Sequence, residues 1–240
     1  MVPAMAPRAN ASLSSVQETS EIASARLISL SSRRGRDWAL TMAMSRRASK
    51  ERTHRGLIKG TLQVLLERGP ADLTTGRIAK AAGVAQPTFY VHFSDMSDAL
   101  NQAADWVESR LDASLRESRK SITFGSPLET VRSAFKQSVE ALVQEPGLST
   151  LFLRYRRDFA SPLGQRFAQM HQRAQEGLLR DLRSMGMTDE MVPDLAVHAQ
   201  LLTAMTLSVV EAILDGTLKD PEPCYDSIAR MAVRTSEGWL

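Results

Sequence analysis

From Lys50 onward, nearly every segment of this 240-residue chain repeats its apolar residues with the 3.6-residue period of a helix, and none sustains the alternation of a half-buried strand. A chain patterned this way can bury its apolar surface only by packing helix on helix, so the expected fold class is all-α. Helices are expected over 52–68, from Thr74 or Thr75 to Gly83, from Gln86 to Phe93, and over 96–118, 127–144, 148–159, 162–185, 193–216 and 223–238. Prolines 127, 162, 193 and 223 stand where a first helical turn tolerates them, and Gly147, Gly186 and Gly216 mark helix ends.

Residues 1–45 are rich in Ser, Ala and Arg and carry no sustained period, so they read as a flexible N-terminal extension. Charge is unevenly distributed: +2 over residues 1–44, +6 over 45–93 and −5 over 94–240. A basic segment joined to an acidic body is the asymmetry of a chain that meets a polyanion at one end. Cys224 is the single cysteine, which excludes an intrachain disulfide and a cysteine-based zinc site. No uninterrupted apolar run approaches the ~20 residues of a membrane span, and the first 30 residues lack the apolar core of a signal peptide. The expectation is a cytoplasmic protein with no membrane partner.

The stretch Leu73 to Phe93 carries the function. Thr74 or Thr75 can cap a helix through its hydroxyl, leaving first-turn amides free for a phosphate oxygen. Ile78 points inward and Ala79 is small enough for a close helix crossing. Gly83 provides the left-handed residue that turns the chain, and Val84 plugs the corner. The next helix sets Phe89 and Phe93 one turn apart on its inner face, against Leu62 and Leu65, and leaves Gln86, Pro87, Thr88, Val91 and His92 to face outward. Such a helix fits the major groove: Gln86 and Thr88 would reach base edges, and Val91 a thymine methyl. Tyr90, His92, Arg77 and Lys80 would contact phosphate, and Arg46, Arg47 and Lys50 lie on a loose basic arm that could add backbone or minor-groove contacts.

Residues 51–100, from ERTHRGLIKG through FYVHFSDMSDAL, resemble the DNA-binding domain of a TetR-family repressor. The resemblance covers about 50 residues in the family's order: helix, Gly, Thr-Thr, Ile-Ala, Ala-Gly-Val, then aromatic-Tyr-x-His-Phe. It implies a DNA-binding domain over 46–95 and a ligand-binding and dimerisation domain over 96–240. It further implies a homodimer joined through the last two long helices, gripping a near-palindromic double-stranded DNA operator. One apolar stripe, Leu195, Ala199, Leu202, Thr206, Val209 and Ile213, is the expected dimer face, continued by Ile228, Ala232 and Trp239; Ala196, Leu201, Met205, Leu207, Val210 and Leu214 cover the other faces. Trp106, Phe135, Phe152, Phe167 and Met170 are the candidates for an apolar ligand cavity, with Arg154 and Arg157 for an anionic ligand head.

Two positions depart from the family pattern. Met96, flanked by Asp95 and Asp98, replaces the usual Lys at the start of the fourth helix, and Ala85 replaces the usual hydroxyl cap before the third. Together with EPGLSTLFLRYRRD in the body, these features resemble the subgroup that controls fatty-acid synthesis and desaturation. That implies a small-molecule effector of the acyl-CoA class. The rival within the family is a multidrug-responsive repressor of an efflux pump. A small helical enzyme is the remote alternative, for which no nucleotide-binding glycine motif, nucleophile elbow or HExxH is present. No cofactor, metal or catalytic residue is expected.

Overall fold

A computed structural model describes residues 42, 44–184, 187–190, 192 and 194–237. Their regular secondary structure is entirely helical, with no strand among the described residues. The chain divides into two compact units, Met1–Thr53 and His54–Leu240. In the first, residues 44–53 are helical rather than a loose arm, and Arg46, Arg47 and Lys50 are exposed on that helical segment. Thr53 closes it locally, its hydroxyl donating to the Ser49 carbonyl at 3.1 Å. The extension expected over 1–45 lies almost entirely outside the described residues.

The second unit begins with helical residues 54–68 (α1), followed by α2 (Thr75–Ala81) and a 3-10 turn, Gln86–Thr88, that runs into α3 (Phe89–His92). Then come α4 (Met96–Ser118), α5 (Pro127–Val143), α6 (Pro146–Tyr155), α7 (Pro162–Ser184), α8 (Leu195–Leu214) and α9 (Glu222–Glu237). Local chemistry sets several of these boundaries. Asp95 caps α4 by accepting from the Asp98 amide at 2.8 Å, and Ser126 and Glu129 form a reciprocal capping box ahead of Pro127. α6 stops at Tyr155, short of the expected Phe159, because the chain must fold back across the first turn of α7. There a Cβ on Gly164 would stand 1.9 Å from the Asp158 carbonyl oxygen, so this turn closes only over glycine.

A single apolar core runs from Leu57, Leu62, Leu65, Ile78, Phe89 and Phe93 through α4 into Phe135, Val139, Phe152, Phe167 and Tyr225. α4 is the shared wall, because its buried Ala99, Ala103 and Ala104 allow neighbouring helices to approach closely. Charged pairs then fix neighbours along it. The Arg173 guanidinium straddles the Glu108 carboxylate at 2.6–2.8 Å, and Arg166 pairs with Asp105. On the opposite side α9 lies on α5, where Arg132 binds Glu222 and Asp226, Lys136 binds Glu222 at 2.6 Å, and Tyr225 packs its ring edgewise on Phe135. Burial of the Tyr225 phenol pushes its pKa up to about 12.

α8 corrects two expectations. Leu195, Ala199 and Val209, taken from sequence as the dimer face, pack inside the chain, as does Ile228 of α9; Leu202, Thr206, Ile213 and Ala232 are half-buried. The opposite stripe, Val197, Leu201, Ala204 and Ser208, is exposed, together with Met231 of α9. Both faces of α8 are apolar, so periodicity locates two stripes without saying which meets the core. Trp239 lies outside the described residues. α8 also has the length and apolarity of a membrane-crossing helix, with a mean hydropathy of 1.5 and only 22% of that window buried within the chain. Its scattered Thr, Ser and Gln break the apolar run without lowering the average below that level.

The proposed cavity residues are mostly core. Phe135, Phe152, Phe167 and Met170 are buried, and the Phe152 and Phe167 rings meet edge to face with centroids 5.6 Å apart. Arg154 donates to the Leu66 carbonyl at 3.3 Å, tying α6 to the end of α1, and Arg157 is exposed. The positive charge held deepest at this end belongs to neighbouring Arg156, half-buried beside His171. Burial, reinforced by Arg156 and Arg157, lowers the His171 pKa.

Two consequences can be measured. A Cβ at Gly60 of α1 would stand 2.9 Å from the Ile78 carbonyl oxygen and 3.2 Å from the Ala82 amide nitrogen. Gly60→Ala should therefore lower stability in urea unfolding by about 1–3 kcal/mol, although alanine favours helix by about 1 kcal/mol; an unchanged midpoint would mean that α1 and α2 can separate freely. His171, with its folded pKa held below the ordinary 6.5, takes up a proton more readily in the unfolded chain. Stability should thus fall as pH drops through 6.5, and His171→Gln should flatten that slope in thermal melts across the same pH range.

Candidate nucleic-acid interface

α2 and the α3 segment form a helix-turn-helix whose turn follows from backbone chemistry. Gly83 adopts φ +69°, its amide donates to the Lys80 carbonyl at 3.1 Å, and the Val84 amide donates to the Ala79 carbonyl at 2.9 Å. This pair of bonds is the Schellman termination, which consumes two orphan carbonyls of α2 and redirects the chain. Val84 is half-buried at the corner and packs on the core. At the other end of α2 the cap is Thr74, whose backbone is extended and whose hydroxyl accepts from the Arg77 amide at 3.3 Å. Thr75 acts elsewhere, its hydroxyl accepting from the Gln86 side-chain amide at 2.9 Å.

The reading segment is shorter and tighter than a regular helix. Pro87 sits in the 3-10 turn over Gln86–Thr88, and four α-helical residues follow. Ala85 precedes it with no side-chain cap, as its methyl group dictates. Two inward rings hold the segment: Phe89 and Phe93 are 0% and 2% exposed, with centroids 5.2 Å apart. The outer face carries Tyr90 at 60% and Val91 at 66% exposure, beside exposed Gln86 and Pro87. The Tyr90 ring meets Phe89 edge to face with centroids 5.4 Å apart, yet most of its surface stays open, and Val91 is more open still.

Other candidates are more constrained than sequence suggested. Thr88 is half-buried, and the His92 ring lies 5.5 Å from His54, which also packs on Phe93 at 5.1 Å. His92 therefore combines packing with a partly open edge. Arg77 is committed to Asp72, pairing with its carboxylate and donating to its carbonyl at 2.9 Å, whereas Lys80 is exposed. A phosphate at Arg77 would have to compete with that carboxylate. Asp72, in the 3-10 turn before α2, was not singled out from sequence, because nothing in its spacing to Arg77 marks a pair.

The start of α4 explains the two acidic residues there. Asp98 accepts from the Ser94 amide at 3.0 Å and from the Gln102 side chain at 2.8 Å, while Met96 packs on the core. The Gln102 bond first, then the Ser94 amide, with a smaller contribution from the charge of His54, holds the Asp98 carboxyl below its ordinary range. This end of α4 is therefore built to receive its own capping carboxylates. Among the described residues no His, Cys, Asp or Glu cluster has the arrangement of a metal site.

The roles of the two threonines can be separated by substitution. Thr74→Ala should cost about 1 kcal/mol in denaturant unfolding through loss of the α2 cap, while the isosteric Thr75→Val should stay within about 0.5 kcal/mol. Equal losses would mean that the cap is shared.

Comparison with known proteins agrees with this geometry. Residues 57–103, spanning α1 to the first turns of α4, match the family model for bacterial regulatory proteins of the tetR family. An uncharacterised HTH-type transcriptional regulator of Haemophilus influenzae is 33% identical over 91 residues; that match spans 38% of this chain and 44% of the relative's length. Among solved structures, a TetR-like transcriptional regulator from Rhodococcus sp. RHA1 superimposes with a TM-score of 0.59 at 16% identity, over 75% of this chain and 95% of that one. The regulator FadR of Bacillus subtilis, solved in complex with stearoyl-CoA, gives 0.55 at 16% identity, over 77% and 98%. At these identities the structural likeness speaks for the fold alone. The helix-turn-helix geometry and the family match coincide on the same residues, so residues 57–103 are similar to the DNA-binding segment of the tetR family of bacterial regulatory proteins.

Proposed function

We propose that the protein is a transcriptional repressor that binds a near-palindromic operator as a homodimer and responds to an acyl thioester. The observation that carries the DNA-binding part is the exposed face of Gln86, Pro87, Tyr90 and Val91, set on a segment that Phe89 and Phe93 anchor to the core. Gln86 reads a base edge from a side chain already oriented by Thr75, and Val91 meets a thymine methyl. Tyr90 and Lys80 bind phosphate, with Thr88 and His92 contributing from half-buried positions and Arg77 after exchanging Asp72 for a phosphate. Arg46, Arg47 and Lys50 add phosphate contacts. Residues 46–95 act as the DNA-binding domain and 96–240 as the effector and dimerisation domain.

Dimerisation is supported by α8, whose Val197, Leu201 and Ala204 form an uncovered stripe beside Met231. An apolar face of this kind at the surface calls for a partner, and a second copy of the chain meets it with the same residues across a two-fold axis. Two reading heads then span half-sites roughly 34–36 Å apart. The acyl-thioester reading draws on the departures at Ala85 and Met96 and on the stearoyl-CoA bound by the Bacillus subtilis fold neighbour. In this chain the acyl group would enter by parting the rings of Phe152 and Phe167, with Arg157 and the partly buried Arg156 near the thioester's anionic head.

Selection of binding sites from random duplex DNA, followed by anisotropy titration, tests the proposal. The selected sequence should be palindromic. Tyr90→Ala should weaken binding to every sequence with the salt dependence unchanged, Lys80→Ala should weaken it and also reduce the salt dependence, and Gln86→Ala should change base preference at one position per half-site. Stearoyl-CoA at micromolar concentration should change operator affinity, and an efflux-pump substrate that does not intercalate into DNA, such as tetraphenylphosphonium, should not. Selection of no preferred sequence would overturn the reading.

A further inference from the structure

Where α1, α4 and α6 meet, a surface cleft of about 440 Å³ opens beside Trp106. Lys59 of α1 forms one wall, Trp106 and Arg110 of α4 another, and Glu145, Gly147 and Leu148 at the start of α6 the third. Its charges do not cancel. Arg110 is paired with Glu145 across the α4–α6 boundary, whereas no carboxylate among the described residues pairs with exposed Lys59. The cleft therefore carries one unmatched positive charge next to a half-buried indole and the half-buried Leu148. The first amides of α6 carry no side-chain cap, which adds positive potential on the same side.

We infer that this cleft binds a small planar monoanion, a ring carboxylate whose apolar body rests on Trp106 and Leu148 and whose charge pairs with Lys59. The volume suits a ligand of two fused or linked rings, and an aromatic wall with one cation selects a flat acid over a neutral ring. The position gives such a ligand leverage. α6 holds the C-terminal end of α1 through Arg154 on the Leu66 carbonyl at 3.3 Å and Tyr155 on the Leu65 carbonyl at 3.5 Å, and Gly147 abuts the Leu66 side chain. An occupant touches all three helices at the joint between the helix-turn-helix and the helical body. It biases their mutual packing from a place separate from the buried Phe152–Phe167 core, and it does not rest on the acyl-thioester reading.

The test uses the full chain carrying Trp38→Phe and Trp239→Phe, which leaves Trp106 as the sole tryptophan. Biphenyl-4-carboxylate should change Trp106 emission saturably and bind at least about tenfold more tightly than neutral biphenyl-4-methanol. Lys59→Met should abolish that preference, while Lys120→Met, an exposed lysine outside the cleft, should preserve it. In the unsubstituted chain, the indole ¹⁵N–H signal that disappears in Trp106→Phe should shift along the same titration. Equal binding of acid and alcohol, an unaltered preference in Lys59→Met, or no saturation up to about 5 mM, well above the range of specific small-ligand binding, would each overturn the inference.

Discussion

The structure depends first on the burial of Phe89 and Phe93. The segment that presents the outward residues has three 3-10 residues and four α-helical ones, and no side chain caps its start. A helix of that length does not persist alone in water, because the cost of nucleating it exceeds what so few backbone bonds return. Two rings one turn apart, sealed against α1, α2 and α4, supply the missing stability and fix the rotation of the segment. Tyr90 and Val91 point outward because Phe89 and Phe93 point inward.

The same contact ties recognition to the body. α4 enters the core through Ala99, Ala103 and Ala104 and continues as the wall on which α5, α6 and α7 pack. α6 returns to touch the end of α1 through Arg154 and Tyr155. The helix-turn-helix is thus held by two elements of the body. A change in the relative position of α4 and α6 reaches it through packed side chains and hydrogen bonds rather than through a flexible linker. Close crossings at Gly60 and Gly164 make this packing unforgiving, since each places backbone against backbone.

Electrostatics act mainly to position elements. Arg173 with Glu108, and Arg132 and Lys136 with Glu222 and Asp226, are partly exposed pairs that select which helices meet and contribute modestly to stability. In the interface the same economy appears as competition: Asp72 holds Arg77, and Asp98 is held by Ser94 and Gln102. Asp72 thereby leaves one fewer uncommitted cation around the reading segment than the local net charge implies. Lys80, Tyr90 and Gln86 consequently carry more of the proposed recognition.

The amino-acid sequence by itself determined the all-helical class, the boundaries of α4, the Gly83 turn and the inward placement of Phe89 and Phe93. Each of these follows from local rules, a 3.6-residue period, a cap or a left-handed glycine, that act over a few residues. Tertiary structure alone decided which apolar stripe of α8 meets the core. It also decided that Thr74 caps while Thr75 holds Gln86, that Arg77 is engaged by Asp72, and that Phe135, Phe152, Phe167 and Met170 pack together. The physical reason is common to all of them. Two apolar faces, two adjacent hydroxyls or two charged neighbours are equivalent in a one-dimensional pattern. Only the approach of other helices, set by small residues such as Gly60 and Ala103, makes one of each pair the buried or bonded member.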